Sequence, residues 1–121
     1  MPTLIEFDQM FSIPREPNTL LTPGQYFELS VPPGKKALIT DVYIENKGGG
    51  HSILYILEQR LPNSFEHRYT FFTASGQVTV VNFTTGLKLG DEAPIAGTIR
   101  IENPTGSKAN ILPRVNGVFI G

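Results

Sequence analysis

A Pro32-Pro33-Gly34 corner separates two runs in which apolar and polar residues alternate, residues 25–31 and 37–45. Two successive prolines fix φ and remove two backbone donors, so a β-strand has to stop at this point. Gly34 can adopt the positive φ that a Pro-Gly turn commonly needs. Alternation with a period of two residues is the pattern of a strand that buries one face. The corner therefore predicts two strands joined by a tight turn.

Short apolar runs separated by turn residues continue along the rest of the chain. The 12 glycines and 10 prolines fall between these runs rather than in one block, and this distribution predicts many turns. After residue 20 no stretch keeps a helical period of about 3.6 residues. Roughly eight short strands, with turns about every 8–12 residues, predict an all-β protein. The expected architecture is a single antiparallel β-sandwich, an eight-stranded jelly-roll.

The length of the chain, 121 residues, is that of one domain. We expect one β-sandwich over residues 1–121, with an N-terminal extended segment and Pro-rich loop, residues 1–24, packed on it. Residues 3–13 fit both a strand and a helix, and the two alternatives stay open. The strand is indicated by alternation of Ile5, Phe7, Phe11 and Ile13, and the helix by a stripe of Leu4, Phe7, Met10 and Phe11.

Strict alternation assigns the side chains of residues 37–45 to two faces. It places Leu38 on the core side, together with Val42 and Ile44. It places Ile39 on the outer side, where this residue and Tyr43 would add exposed apolar area.

The later runs are assigned in the same way. Alternation in residues 65–71 predicts a half-buried His67 that shares one aromatic face with Phe65, Tyr69 and Phe71. Residues 52–60 are apolar on both faces until Glu58, as expected of a central strand with both sides covered. Residues 109–120 are expected to divide around Pro113 and around Asn116-Gly117.

The charge balance and the absence of cysteine exclude several classes of function. A formal net charge of −1 without a basic cluster predicts neither nucleic-acid nor membrane partners. Without cysteine there is no disulfide or thiolate chemistry. The first residues lack a basic region followed by an apolar one, so they do not resemble a secretory signal. We therefore expect a cytoplasmic or particle-associated protein.

No pattern in the sequence predicts catalytic residues, a metal site or a cofactor. His51 and His67 are the only histidines, whereas a cupin-type metal site needs several inward His and Glu ligands. No Gly-x-Ser-x-Gly motif or local Ser/His/Asp grouping is present. The glutamates are expected mostly on solvated outer faces, and none of them is singled out as a pair for glycoside hydrolysis.

Four residues are candidates for contacts with a partner: Tyr26, Tyr43, Glu45 and His51. Tyr26 and Tyr43 lie on the more polar faces of their predicted strands. A tyrosine beside carboxylates suits a sugar or a protein surface, because its ring buries area while its hydroxyl keeps a hydrogen bond. His51 follows three glycines in a loop expected to be flexible and exposed, where recognition residues often lie.

Three segments resemble small jelly-roll modules of bacterial and phage proteins. In residues 27–46, a strand is followed by a Val31-Pro-Pro-Gly-Lys35 corner and by an Ile39-Thr-Asp-Val42 strand that ends at Asn46. Residues 86–90 and 117–121 are similar to the final strands of those modules. The resemblance implies a binding, adhesive or particle-associated module, often oligomeric, and it implies no catalytic residues.

The function predicted from these observations is a non-catalytic binding or assembly module that presents a sheet face and loops to a partner. Charged residues make up only 17% of the chain, so self-association through an outer sheet face is expected, a trimer being one possible form. Two alternatives stay open, a lectin-like carbohydrate-binding domain and a small β-sandwich hydrolase.

Overall fold

The computed structural model describes residues 10–89 and 97–121, and in these ranges the chain is all β. The described residues form eight strands: β1 (Met10–Ile13), β2 (Gln25–Ser30), β3 (Lys36–Asn46), β4 (Ser52–Leu61), β5 (Ser64–Thr73), β6 (Val78–Leu89), β7 (Thr98–Asn103) and β8 (Ile111–Ile120). Within these ranges there is no helix that is long and apolar enough to cross a membrane.

The strands form two antiparallel sheets of four strands each. Sheet A has the order β1-β8-β3-β6, and sheet B has the order β2-β7-β4-β5. The first strand pairs with the last, the second with the seventh, and so on inward along the chain: β1·β8, β2·β7, β3·β6 and β4·β5. A long antiparallel ribbon that is folded over has this pattern. This order is that of an eight-stranded jelly-roll sandwich, so the predicted fold class is confirmed.

The corner between β2 and β3 is a type II turn. The Lys35 N–H donates to the Pro32 carbonyl over 3.1 Å, and Gly34 has a φ of 78°. A type II turn requires a positive φ at its third position, which favours glycine there. A Cβ atom at Gly34 would meet no atom within 4 Å, so the backbone conformation rather than the available space requires glycine.

The core between the sheets is built from inward side chains of all eight described strands. Its fully buried members come mainly from the four central strands, and the core includes Ile39, Val42, Ile44, Leu54, Ile56, Ile99, Ile101, Ile111 and Val115. The loop between β1 and β2 packs on this core through the fully buried Leu21, which forms a β-bridge with Ile111.

A β-bulge at Thr40 reverses the alternation within β3. Ile39 pairs with Gly117, whereas Asp41 pairs with Asn116, so Thr40 is an extra residue in β3. Ile39 is therefore fully buried and Leu38 points outward. The prediction that put Leu38 in the core and Ile39 on the outer face is wrong, because one extra residue exchanges the two faces.

A second bulge in β5 changes the position of the histidine. Ile56 pairs with Tyr69 and Leu57 with His67, which leaves Arg68 as the extra residue. His67 is consequently exposed on the outer face of sheet B, while Tyr69 packs against the core. The prediction that His67 is half-buried on the face of Tyr69 and Phe71 is wrong for the same reason.

Strand β8 runs through Pro113 and Asn116-Gly117 without interruption, so the predicted division of residues 109–120 is also wrong. Strand β1 pairs with β8 only from Val115 to Val118, and Leu21 bridges to Ile111. Pro113 lies between these two contacts, where β8 has a strand neighbour only on the β3 side. A proline is tolerated there because no ladder donor is required on the other side.

Two further predictions concern β1 and β4. Met10–Ile13 is a strand, as one alternative predicted for residues 3–13; the earlier part of that segment lies outside the described residues.

Strand β4 is central in sheet B, as predicted. However, Ile53, Tyr55 and Leu57 on its outer side stay half-exposed, and no second layer of the described residues covers them. Glu58 is fully buried, contrary to the solvated position expected for most glutamates.

Candidate functional site

The outer face of sheet B carries a cluster of aromatic side chains around one arginine. All four strands of the sheet contribute to this cluster, which we term the aromatic face: Tyr26 from β2, Arg100 from β7, Tyr55 from β4, and Phe65, His67 and Phe72 from β5. Alternation turns these side chains outward while the residues between them enter the core. Tyr26 is 47% exposed and Phe72 is 59% exposed, so the face is open to a partner.

Arg100 lies at the centre of the aromatic face. Its guanidinium carbon lies 3.9 Å from the ring centroid of Tyr26 and 3.9 Å from that of Phe65, both within the range of cation–π attraction. Its Nε and Nη2 atoms both donate to Oε2 of Glu28, over 3.0 and 2.9 Å. An arginine has five N–H donors, and the remaining ones have no partner among the described residues. The guanidinium is thus held in a fixed plane with donors still available.

Glu102 provides acceptors next to this arginine. It is directly opposite Tyr26 on one side and Tyr55 on the other, so the three side chains form one row across the sheet. Glu102 is half-buried, and within the described ranges its carboxylate has no hydrogen bond or ion pair. A carboxylate between two phenol rings combines strong acceptors with flat apolar surfaces.

The remaining rings of the aromatic face are held by contacts with one another. The ring of His67 meets the ring of Tyr55 edge-on at a centroid distance of 4.6 Å, and its Nε2 is 2.7 Å from the Thr70 hydroxyl. Just before β4 begins, the ring of His51 stacks on the ring of Phe72 at a centroid distance of 5.7 Å. The surface therefore extends from Tyr26 on one edge strand to the loop that carries His51.

The glycine-rich loop before His51 is packed rather than loose. A Cβ atom at Gly48 would lie 2.7 Å from Cβ of Ala109, and one at Gly50 would lie 2.5 Å from Cβ of Lys108. The Lys108 N–H also donates to the His51 carbonyl over 2.8 Å. Glycine is required at positions 48 and 50 by the close approach of the β7–β8 loop, which differs from the flexibility predicted for this segment.

Tyr43 and Glu45 lie on the outer face of sheet A, on the opposite side of the sandwich. The Tyr43 hydroxyl donates to Oε1 of Glu45 over 3.1 Å, and Nζ of Lys47 is 2.8 Å from Oε2 of Glu45. Burial, together with the hydrogen bond to Glu45, raises the pKa of Tyr43 above its ordinary value. The hydrogen bond from Lys47 lowers the pKa of Glu45, and the same bond raises the pKa of Lys47. These three side chains form a local polar chain.

The four predicted contact residues therefore do not form one surface. Tyr26 and His51 border the aromatic face, whereas Tyr43 and Glu45 contact each other on the other sheet.

Sequence reasoning did not select Arg100, Glu102, Tyr55 or Phe65. Their outward orientation is visible in the alternation of β4 and β7, but their proximity depends on the strand order.

A groove of about 580 Å³ lies on the outer face of sheet A, between β1, β3 and β8. Asn116 connects its polar residues by accepting from the Ser12 hydroxyl and donating to Oδ2 of Asp41 over 2.7 Å. Among the described residues of the lining, Asp41 is the one carboxylate, and neither histidine is included. Throughout residues 10–89 and 97–121, no three His, Asp or Glu side chains are grouped as metal ligands.

Comparison with known proteins gives a distant structural likeness. No protein-family model matches the chain, and no curated protein sequence matches it. The crystal structure of PirA is similar to the chain at 11% sequence identity and a TM-score of 0.47, and it covers 93% of this chain and 95% of that chain. At this identity and TM-score the likeness carries no argument about fold or function.

Proposed function

We propose that the chain is a non-catalytic binding module that contacts its partner through the aromatic face and that assembles into homo-oligomers. One observation supports the binding surface above the others, the stacking of Arg100 between Tyr26 and Phe65 with Glu28 at its edge. Side chains that are already held in one position lose little conformational freedom when a partner binds, so a preorganised surface binds more tightly than a flexible one. Exposed aromatic residues and arginine are also the types that dominate binding energies at interfaces.

Carbohydrate is the ligand class that the chemistry of this face favours. The row of Tyr26, Glu102 and Tyr55 places a carboxylate between two rings, and Arg100 has donors available beside it. A sugar presents hydroxyl groups that donate and accept hydrogen bonds and apolar C–H faces that pack on aromatic rings. The alternative for the same surface is a protein partner, which would use the same aromatic and arginine contacts.

A glycan array with three proteins tests the carbohydrate proposal. We expect wild type to bind at least one glycan, and Tyr55→Ala to weaken that binding about tenfold, since an aromatic contact contributes about 1.5 kcal/mol. Tyr43→Ala, on the outer face of sheet A, is the matched control and should bind as wild type does. A wild-type protein that binds no glycan contradicts the proposal, as does equal binding by Tyr55→Ala.

The assembly part of the proposal is supported by apolar area on the outer side of sheet A. Val78 and Val80, on the edge strand β6 of this sheet, are 52% and 58% exposed. Neighbouring exposed apolar residues indicate a contact surface. Size-exclusion chromatography with light scattering should give a multiple of the 13.3 kDa chain mass. A monomer at micromolar concentration would exclude self-association.

A further inference from the structure

Each open sheet ends in strands whose outer backbone groups have no strand partner, and natural proteins protect such edges. In the described structure the edge strands are β1 and β6 in sheet A, and β2 and β5 in sheet B. Two of them carry a known form of protection. Strand β2 contains Glu28 and runs into Pro32-Pro33, and β5 contains Glu66 and a bulge at Arg68. Strand β1 offers only four described residues for pairing, Met10–Ile13.

Strand β6 has none of these protections in its first half. Residues 74–87 contain no charged residue and no proline. From Val78 to Asn82 the strand is regular, because it pairs residue by residue with β3 between Asp41 and Glu45. Val78 and Val80 lie on the outer face of this edge strand, opposite Glu45 and Tyr43, and are more than half exposed. A long, regular, uncharged edge of valine and threonine is a ready template for another strand.

The second half of β6 is closed by β5. The Tyr69 hydroxyl donates to the Lys88 carbonyl over 2.7 Å, and the Phe71 ring meets the Phe83 ring at 6.2 Å. These contacts occupy the corner where the edges of the two sheets approach each other. Within the described ranges, the open part of the edge is thus limited to Val78–Asn82.

We propose that Val78–Asn82 of β6 pairs antiparallel with the same segment of a second copy of the chain. A two-fold axis through this segment would join two A sheets into one continuous sheet of eight strands. The inference specifies the surface for the self-association proposed above and rests on that proposal. It replaces the sheet face expected from the sequence with a sheet edge.

A second copy fits this edge because the segment is complementary to itself. In a two-fold antiparallel pair each residue is opposite another residue of the same short segment, and the interface is isologous. Every such pair combines valine, threonine or asparagine, so no like charges meet, and β-branched pairs stabilise neighbouring strands. Main-chain hydrogen bonds across the edge supply the affinity, as in other cases of strand addition.

Light scattering of charge variants tests the edge. Val80→Lys places a positive charge from each copy near the axis, and we expect it to raise the dissociation constant of the dimer at least tenfold. Leu61→Lys is the matched control, because Leu61 is 64% exposed on the β4–β5 hairpin, and it should leave the dimer unchanged. If wild type is monomeric, self-association itself is wrong. If wild type is dimeric and Val80→Lys dimerises equally well, the edge assignment alone is wrong.

Cysteine cross-linking provides the second measurement, because the chain has no cysteine of its own. Five variants, each with a single cysteine at one position from 78 to 82, are oxidised mildly, and the products are separated by size without reductant. We expect a covalent dimer at one position and less at its neighbours, since a disulfide needs Cβ atoms about 4 Å apart. Arg114→Cys is the control for a dimer in which the outer faces of two A sheets pack on each other. Arg114 lies on β8, two strands or about 9.5 Å from the β6 edge, so pairing through that edge would not bring two copies of this cysteine together. Efficient cross-linking by Arg114→Cys, or none at positions 78–82, overturns the inference.

Discussion

Tyr43, Glu45 and Lys47 show how neighbouring side chains on one strand change one another's protonation. They are two residues apart along the chain, so alternation brings their side chains to the same side. The Glu45 carboxylate accepts from Tyr43 and is paired with Lys47. It follows that the ionised carboxylate favours the neutral phenol and the charged ammonium.

We predict that Glu45→Gln lowers the pKa of Tyr43 but leaves it above the ordinary tyrosine value. Burial is the larger cause of the raised pKa and persists in the variant, whereas the bond to a charged acceptor is lost. Because the folded-state pKa is raised, the stabilisation from neutral Tyr43 is complete below the unfolded pKa of about 10 and is lost as the pH rises through the folded value. The ¹³Cζ chemical shift of labelled Tyr43, followed between pH 8 and about 12, measures this pKa. An unchanged midpoint would exclude the Glu45 contribution.

The two β-bulges decide which side chains the strands present. Without the extra residue Arg68, His67 and Phe65 would follow the alternation of Tyr69 and point toward the core. The bulge therefore supplies two of the rings of the aromatic face, in keeping with the use of bulges to redirect functional side chains. The bulge at Thr40 has the opposite effect on Ile39, which it moves into the core.

The corner between β2 and β3 gives a prediction at the scale of these elements. Gly34→Val should reduce the free energy of unfolding by about 1–3 kcal/mol, because a β-branched residue is strained at positive φ. Gly49→Val is the matched control, since Gly49 also has open space around its Cβ position but has no positive φ. Urea unfolding of the three proteins measures the difference. Equal losses in the two variants would show that the φ of Gly34 is not what requires glycine.

At the scale of the whole molecule, a cluster of buried polar residues ties two loops to sheet B. Asn103 is fully buried at the end of β7, and its Nδ2 donates to the Leu21 carbonyl over 3.0 Å and to the Ala109 carbonyl over 3.1 Å. The Ser52 hydroxyl donates to the same Ala109 carbonyl over 2.6 Å. The β1–β2 and β7–β8 loops are thereby joined to sheet B from within.

We predict that Asn103→Asp destabilises the whole sandwich at neutral pH by about 3 kcal/mol or more. The variant replaces a buried donor with a charged acceptor that faces two carbonyl oxygens. The pKa of the introduced carboxyl is raised by folding, so its contribution is least unfavourable below the unfolded value of about 4 and worsens as the pH rises. Thermal melts of variant and wild type at pH 4 and pH 7 test this sign. A larger deficit at pH 4 than at pH 7 would contradict it.

Much of the architecture could be read from local patterns. The alternation of residues 25–31, the corner at Gly34 and the regular spacing of turns predicted a jelly-roll sandwich, which the strand order confirms. These features depend on residues a few positions apart, and local sterics and turn chemistry are enough to specify them.

The faces of the strands and the candidate site depended on long-range contacts. The bulges at Thr40 and Arg68 arise from pairing with strands elsewhere in the chain, so alternation misplaced Ile39 and His67. The aromatic face combines Tyr26, Phe65 and Arg100, which come from β2, β5 and β7. Their proximity results from the order of strands in sheet B. The sequence alone therefore specified most of the strands and turns, although it left residues 3–13 open and wrongly divided residues 109–120. Pairing in the folded chain decided which side chains meet, because register and strand order are properties of the whole fold.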